Sequence, residues 1–212
     1  MARRILFALV ILAFPMSLLA QNDFGIWVNT TKYKTTTEAD PTLPGSTFRF
    51  KMKSKVGFGV SVNHFSGLNM STEFAAHQIR GDATASIDSP NPTLRAMINI
   101  GSFRANVFSA VMKWHFMPTS FVTPYIGAGA AYFMNGQVSA PIDPNIASGT
   151  TKFQNKVNWV ADAGVNVNIM RNFAIGVDGR YSPYKAIDKS DPASGSVKLD
   201  PLTVALGVRF RM

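Results

Sequence analysis

The stretch Phe48-Arg49-Phe50-Lys51-Met52-Lys53-Ser54-Lys55-Val56-Gly57-Phe58-Gly59-Val60-Ser61-Val62-Asn63 carries its apolar residues at every second position. Phe48, Phe50, Met52, Val56, Phe58, Val60 and Val62 share one parity. Arg49, Lys51, Lys53, Lys55, Gly57, Gly59, Ser61 and Asn63 share the other. Residues two apart lie on one face of a β-strand, whereas a helix brings together residues three and four apart. The run therefore reads as a strand with one apolar face and one polar or bare face.

The same rhythm returns in Val157 to Ile169, Phe173 to Tyr181 and Leu202 to Phe210. Alternation alone fits a soluble sandwich as well as a membrane barrel. The connections separate the two. Strands at about 23–33, 47–65, 70–86, 102–116, 121–134, 156–169, 173–184 and 197–210 make eight, an even number. Short links at Ser66–Asn69, Met117–Ser120 and Met170–Asn172 alternate with long ones near 34–46, 87–101, 135–155 and 185–196. Short turns at one end and long loops at the other mark an outer-membrane barrel, and each run reaches the ~9–11 residues a tilted strand needs to cross hydrocarbon. Trp114, Phe116, Phe173 and Phe210 fall near the short-turn end, Tyr132 and Tyr181 near the loop end, as two aromatic belts require. The expected fold class is all-β, an eight-stranded antiparallel transmembrane barrel with short periplasmic turns and long extracellular loops.

The 212 residues suffice for one small domain, and 46% hydrophobic against 16% charged residues argues against disorder. No cysteine is present, so disulfides and thiolate metal sites are excluded. Arg3 and Arg4, the apolar run Ile5 to Phe14 and the small residue Ala20 before Gln21-Asn22-Asp23 read as a cleavable secretory signal over 1–20. The apolar run is shorter than the ~20 residues of a spanning helix. The barrel domain is then 21–212, and loss of the two arginines lowers the formal charge from +9 to +7. Such a balance suits anionic lipid headgroups or lipopolysaccharide phosphates; export sets nucleic acid aside.

Two segments carry a family resemblance. Met112-Lys113-Trp114-His115-Phe116, a short turn, then Thr123-Pro124-Tyr125-Ile126-Gly127-Ala128-Gly129-Ala130-Ala131-Tyr132 gives an aromatic strand end followed by P-Y-x-G-A-G. Lys198-Leu199-Asp200-Pro201-Leu202 precedes Gly207-Val208-Arg209-Phe210, an L-D-P-x segment before a closing strand. In this order and spacing the chain resembles the OmpW/AlkL-type small outer-membrane barrels. The resemblance implies an eight-stranded barrel whose narrow lumen gives small hydrophobic molecules passive passage, with release sideways into the bilayer. It also implies recognition by the assembly machinery through the last strand, ending at Phe210. The sequence departs from the family in closing on Phe210-Arg211-Met212, and in having Arg180 before Tyr181 where the family resemblance leads one to expect a lumen-facing Trp.

If the apolar parity faces lipid, the inward set includes Trp27, Glu73, His77, Lys113, His115, Asp162, Asp178, Arg180 and Arg209. Opposite charges in so narrow a barrel either line a passage or pair into a ladder that fills it. Trp27, Val160 and Ile79 are apolar inward positions, suited to a hydrophobic constriction or to plain packing. Arg49, Lys51, Lys53 and Lys55 share one face near the loop end and are expected to form a basic wall at the outer mouth. An enzyme is not expected: His64-Phe65-Ser66 faintly resembles the H-x-S element of lipid A deacylases, but Ser66 falls in a periplasmic turn and no acid is placed to orient His64. His64, His77 and His115 have no metal-ligand spacing, and neither a cofactor nor a metal is expected. Two readings of function stand: passive passage of small hydrophobic solutes, or a plugged structural barrel working through its external loops in envelope contacts or as a phage or bacteriocin receptor.

Overall fold

β1 (Asn22–Lys32) pairs with a strand on each side, β3 (Thr47–Phe65) and β12 (Leu202–Arg211), and this closes the sheet. Around the ring follow β4 (Met70–Asp88), β5 (Ala96–His115), β6 (Val122–Ser139), β8 (Lys156–Met170) and β9 (Phe173–Tyr181), which pairs with β12. Every neighbour is antiparallel, so the protein is an eight-stranded barrel. Short strands β2 (Thr36–Ala39), β7 (Thr150–Lys152), β10 (Lys185–Ile187) and β11 (Ser196–Lys198) decorate the extracellular end, where β10 pairs with β11. This computed structural model describes residues 22–39, 46–139, 150–190 and 196–212; the signal expected over 1–20 lies outside them.

The outward face is apolar. Phe58 and Leu206 are 62% and 58% exposed, and Ile26, Phe74, Phe108, Met112, Trp114, Ile126 and Trp159 are exposed with them. So large a contiguous apolar wall belongs in lipid, and the polar residues of the alternate parity turn inward. Trp159 and Tyr181 meet edge-on at 5.6 Å towards the loop end, and Phe173 and Phe210 meet at 5.5 Å at the opposite end.

The extracellular half departs from the sequence reading in three ways. First, the strands run on: β4 reaches Asp88, β5 starts at Ala96 and β6 reaches Ser139, so much of what reads as loop is ladder. Second, the strand expected to reach 184 stops at Tyr181, and the last strand starts at Leu202 instead of 197. Pro183 and Pro201 have no N–H for the ladder, and the chain between them leaves the wall.

Third, β3 carries one residue more than β4 between Lys55 and Gly59, opposite Arg80 and His77. An extra residue reverses the facing of everything beyond it. Ser61 and Asn63 point inward below the irregularity, whereas Met52 is buried above it and Phe50 packs on the interior core. Arg49, Lys51, Lys53 and Lys55 remain on one face near the loop end, but that face is the outside of the wall. The expected basic lining of the mouth is thus corrected to a basic outer surface, with Arg49 ion-paired to Asp88 at 3.1 Å and Lys55 to Asp82 at 2.7 Å.

The cysteine-free chain allows a direct check. In single-cysteine variants of the folded barrel, Lys53→Cys is expected to react with a bulky polar maleimide at least ~10-fold faster than Met52→Cys, following the alternation of facing. The reverse order would put the basic row inside.

Candidate functional site

Six ionisable side chains from five strands converge at mid-height in the interior: Glu73 on β4, Lys113 on β5, Asp162 on β8, Asp178 and Arg180 on β9, and Arg209 on β12. Each occupies an inward-facing position of its strand and is buried, Arg180 most exposed at 8%. Glu73 sits at the hub. One of its oxygens accepts from Arg180; the other accepts from Arg209 Nη2 at 2.6 Å and lies 3.0 Å from Lys113 Nζ. Asp178 accepts from Arg180 Nε at 2.8 Å and from the Tyr125 hydroxyl at 2.7 Å. Lys113 Nζ stands 2.9 Å from Asp162 and 3.4 Å from Asp178. The Asp162 contact is an ion pair off the hydrogen-bond angle, and neither Asp162 oxygen accepts a hydrogen bond among the described residues.

Three carboxylates meet three cations, so the cluster is neutral. Neutrality is what permits it: an unpaired charge inside so narrow a barrel would be desolvated without compensation. Glu73, Asp162 and Asp178 bring oxygens within 4.8 Å of one another, as metal ligands would, a grouping that spacing along the chain does not reveal. Lys113, Arg180 and Arg209 already meet these carboxylates, and a cation would have to displace them.

Trp27 packs against this cluster. Its indole N–H donates to Ser61 Oγ at 2.9 Å and the Arg209 guanidinium lies 5.0 Å from its ring. A side-chain carbon at Gly207 would come within 2.5 Å of that ring, so glycine there is what lets the indole lie across the lumen. His115 is nearer the periplasmic end, with Nε2 2.8 Å from Ser71 Oγ. His77 lines the small voids on the upper side of the cluster. His64 bonds the Asn22 amide oxygen at 2.9 Å, and Ser66 belongs to the turn after β3.

Above the charges the interior turns apolar. Ile79, Val107, Ala131 and Val160 form one level; Met52, Phe103, Ala105 and Phe133 form the next. The connection from β9 to β12 caps them. Its Tyr184 ring stacks on Phe133 at 4.3 Å, Ala186 and Leu199 are buried with it, and Leu199 N–H donates to the Tyr184 carbonyl at 2.9 Å. The voids among these layers are about 20 Å³ beside Trp27 and about 10 Å³ beside Val160, each roughly the size of a single water molecule.

Of the residues singled out from sequence, Glu73, Lys113, Asp162, Asp178, Arg180 and Arg209 come together. Trp27 packs beside them, His115 lies below, and Val160 and Ile79 above. Arg49, Lys51, Lys53 and Lys55 are elsewhere, on the outer surface. Sequence reasoning missed Tyr125 and Tyr184. Tyr125 sits on a strand whose Gly and Ala residues occupy both parities, so hydrophobic alternation gave no facing; Tyr184 falls at the end of the strand expected over 173–184, whereas the structure places it in the link after Tyr181.

The closed ring, the apolar outside and the charged interior define a small outer-membrane β-barrel. By comparison with known families, the chain belongs to the OmpW family, matched over residues 22–212. Among solved structures it resembles OprG from Pseudomonas aeruginosa, with a TM-score of 0.63 at 11% identity over 90% of this chain and 95% of that one. It also resembles AlkL in lipid bilayers, with a TM-score of 0.55 at 15% identity over 90% of each chain. The Neisserial surface protein NspA gives a TM-score of 0.55 at 14% identity over 89% of this chain and 97% of that one. No curated protein matches by sequence.

Removing the hub carboxylate leaves Arg209 without its ion pair and Arg180 and Lys113 short of one partner. Glu73→Gln is expected to lower unfolding stability by about 3–5 kcal/mol, read by urea titration of the barrel in lipid vesicles. Trp27→Ala is expected to cost a similar ~3–5 kcal/mol by opening a cavity, and an unchanged midpoint would show that the indole is not a packing element.

Proposed function

We propose that the barrel gives small hydrophobic molecules passive passage into the outer membrane, with the apolar extracellular half of its interior receiving the solute and the charge cluster as its floor. The division of the interior is the observation that supports this most. Ile79, Phe103, Val107, Phe133 and Val160 form an apolar compartment directly above Glu73, Lys113 and Arg180, which a hydrophobic molecule would have to desolvate and separate in order to go further. The way out is then through the wall. The β8–β9 ladder begins at Ala161 and Tyr181, so Lys156 to Val160 have no β9 partner, and the void beside Val160, Ser182 and Pro201 lies at this gap. Loading requires Tyr184 to leave Phe133.

On this reading the export signal at 1–20 delivers the chain to the envelope, and β12, with Phe210 on the lipid face, is the segment presented to the assembly machinery. Outer-leaflet lipid and lipopolysaccharide surround the wall. One observation favours the second reading, a structural barrel acting through its external links: the voids beside Trp27 and Val160 are only about 20 and about 10 Å³.

Uptake into proteoliposomes decides between them. A small hydrophobic solute is expected to enter several-fold faster than into protein-free vesicles and a polar solute of similar size no faster, with Tyr184→Ala raising the hydrophobic rate further. Control rates for both solutes would leave the structural reading. The lid adds a pH dependence. Burial raises the Tyr184 phenol from 10.0 to about 12. An exposed phenol ionises near 10 while the buried one stays neutral, so lid closure is favoured below pH 10 and is lost as pH rises from 10 to about 12. Hydrophobic uptake is expected to rise across that window, and Tyr184→Phe to abolish the rise.

A further inference from the structure

Arg80 and Arg104 face outward on the parity of β4 and β5, and the reversal of facing in β3 brings Lys55 beside them on the outside of the wall: Lys55 opposite Arg80, and Arg80 opposite Arg104. Side chains so placed have Cβ atoms ~4.5–5.5 Å apart, and like charges directly opposite are unfavourable. Nearby acid does not resolve the conflict. Asp82 is taken by Lys55 at 2.7 Å and by the Ser102 hydroxyl at 2.7 Å. Arg80 and Arg104 are exposed and have neither a hydrogen bond nor an ion pair among the described residues.

Their height above the membrane is informative. Twelve residues separate Arg104 from Phe116, the exposed aromatic at the periplasmic end of β5. At ~3.3 Å per residue and ~40° of tilt that is about 30 Å, just above an apolar band ~25 Å tall. The row immediately below is the polar pair Gln78 and Asn106, hydrogen-bonded at 3.3 Å, and beneath it stand Ala76, Phe108 and Tyr132. Arg80 and Arg104 therefore face outward where hydrocarbon gives way to headgroups.

We infer that Arg80 and Arg104, assisted by Lys55, form a binding site for the phosphorylated headgroup of an outer-leaflet glycolipid. A phosphate between the two guanidiniums removes their repulsion and accepts paired hydrogen bonds from each planar fork, an arrangement that lysine does not reproduce. The glycolipid is preferred as occupant because this face points away from the lumen, into the lipid leaflet. The site rests on the membrane placement and not on the uptake reading.

The test uses the refolded protein in detergent micelles, titrated with fluorescent diphosphorylated lipid A. The double variant R80Q/R104Q is expected to bind at least ten-fold more weakly, and the unaltered protein to lose as much against dephosphorylated lipid A. The control K51Q/K53Q removes the same charge further up the wall and should lose less than three-fold. Heat-dependent gel migration confirms that each variant is folded, and uptake of the hydrophobic solute should be the same in R80Q/R104Q. Equal binding by R80Q/R104Q, equal binding of dephosphorylated lipid A, or an equal loss in K51Q/K53Q would each overturn the site. Full competition by millimolar inorganic phosphate would overturn the glycolipid as its occupant.

Discussion

An unpaired backbone N–H or C=O in hydrocarbon costs several kcal/mol, and β1 meets that constraint by pairing on both edges, Phe24 with Phe210 on one side and with Val62 on the other. Closure at this seam removes the last free edge of the sheet. Once the ring is closed at eight strands its interior is just wide enough for side chains to fill or for one small ligand. What fills that space, and in what order, is therefore the question on which function turns.

The filling is layered by chemistry. A neutral cluster of three carboxylates and three cations, with Trp27 packed against its Arg209, fills the lower and middle interior, and an apolar compartment with Tyr184 as its lid lies above. Small residues make the layers possible: Gly207 gives the Trp27 indole its place, and Gly164 leaves room for the Tyr125 hydroxyl to reach Asp178. The cluster links β4, β5, β8, β9 and β12 across the lumen and, on the proposed function, would bar an apolar molecule from the periplasmic half. Arg180, where a hydrophobic gate was expected, belongs to this network through Glu73 and Asp178.

The outside is layered as well. An apolar wall, a polar row at Gln78 and Asn106, and a basic row at Lys55, Arg80 and Arg104 follow one another up β3, β4 and β5. Arg80 and Arg104 keep the outward parity of Phe74 and Phe108, and Lys55 joins them because one extra residue in β3 reverses the alternation there.

Alternation by itself determined a good deal. It set strand existence, strand number and the facing of Glu73, Lys113, Asp162, Asp178, Arg180 and Arg209, because a two-residue period combined with lipid on one side leaves a residue only two directions to point. The strands expected over 173–184 and 197–210 instead end at Tyr181 and start at Leu202, since Pro183 and Pro201 lack the donor that a ladder needs. Which charges meet was decided only by tertiary structure: Glu73 and Arg209 are brought together by ring closure across the barrel, a relation that has no counterpart in local spacing. The outward facing of Arg49 to Lys55 was decided there too, because a bulge is a mismatch between two strands and neither strand's sequence contains it. So was the lid, because alternation reads Tyr184 as strand, and its ring finds Phe133 only where the chain has left the wall after Tyr181 and the barrel mouth exists to receive it.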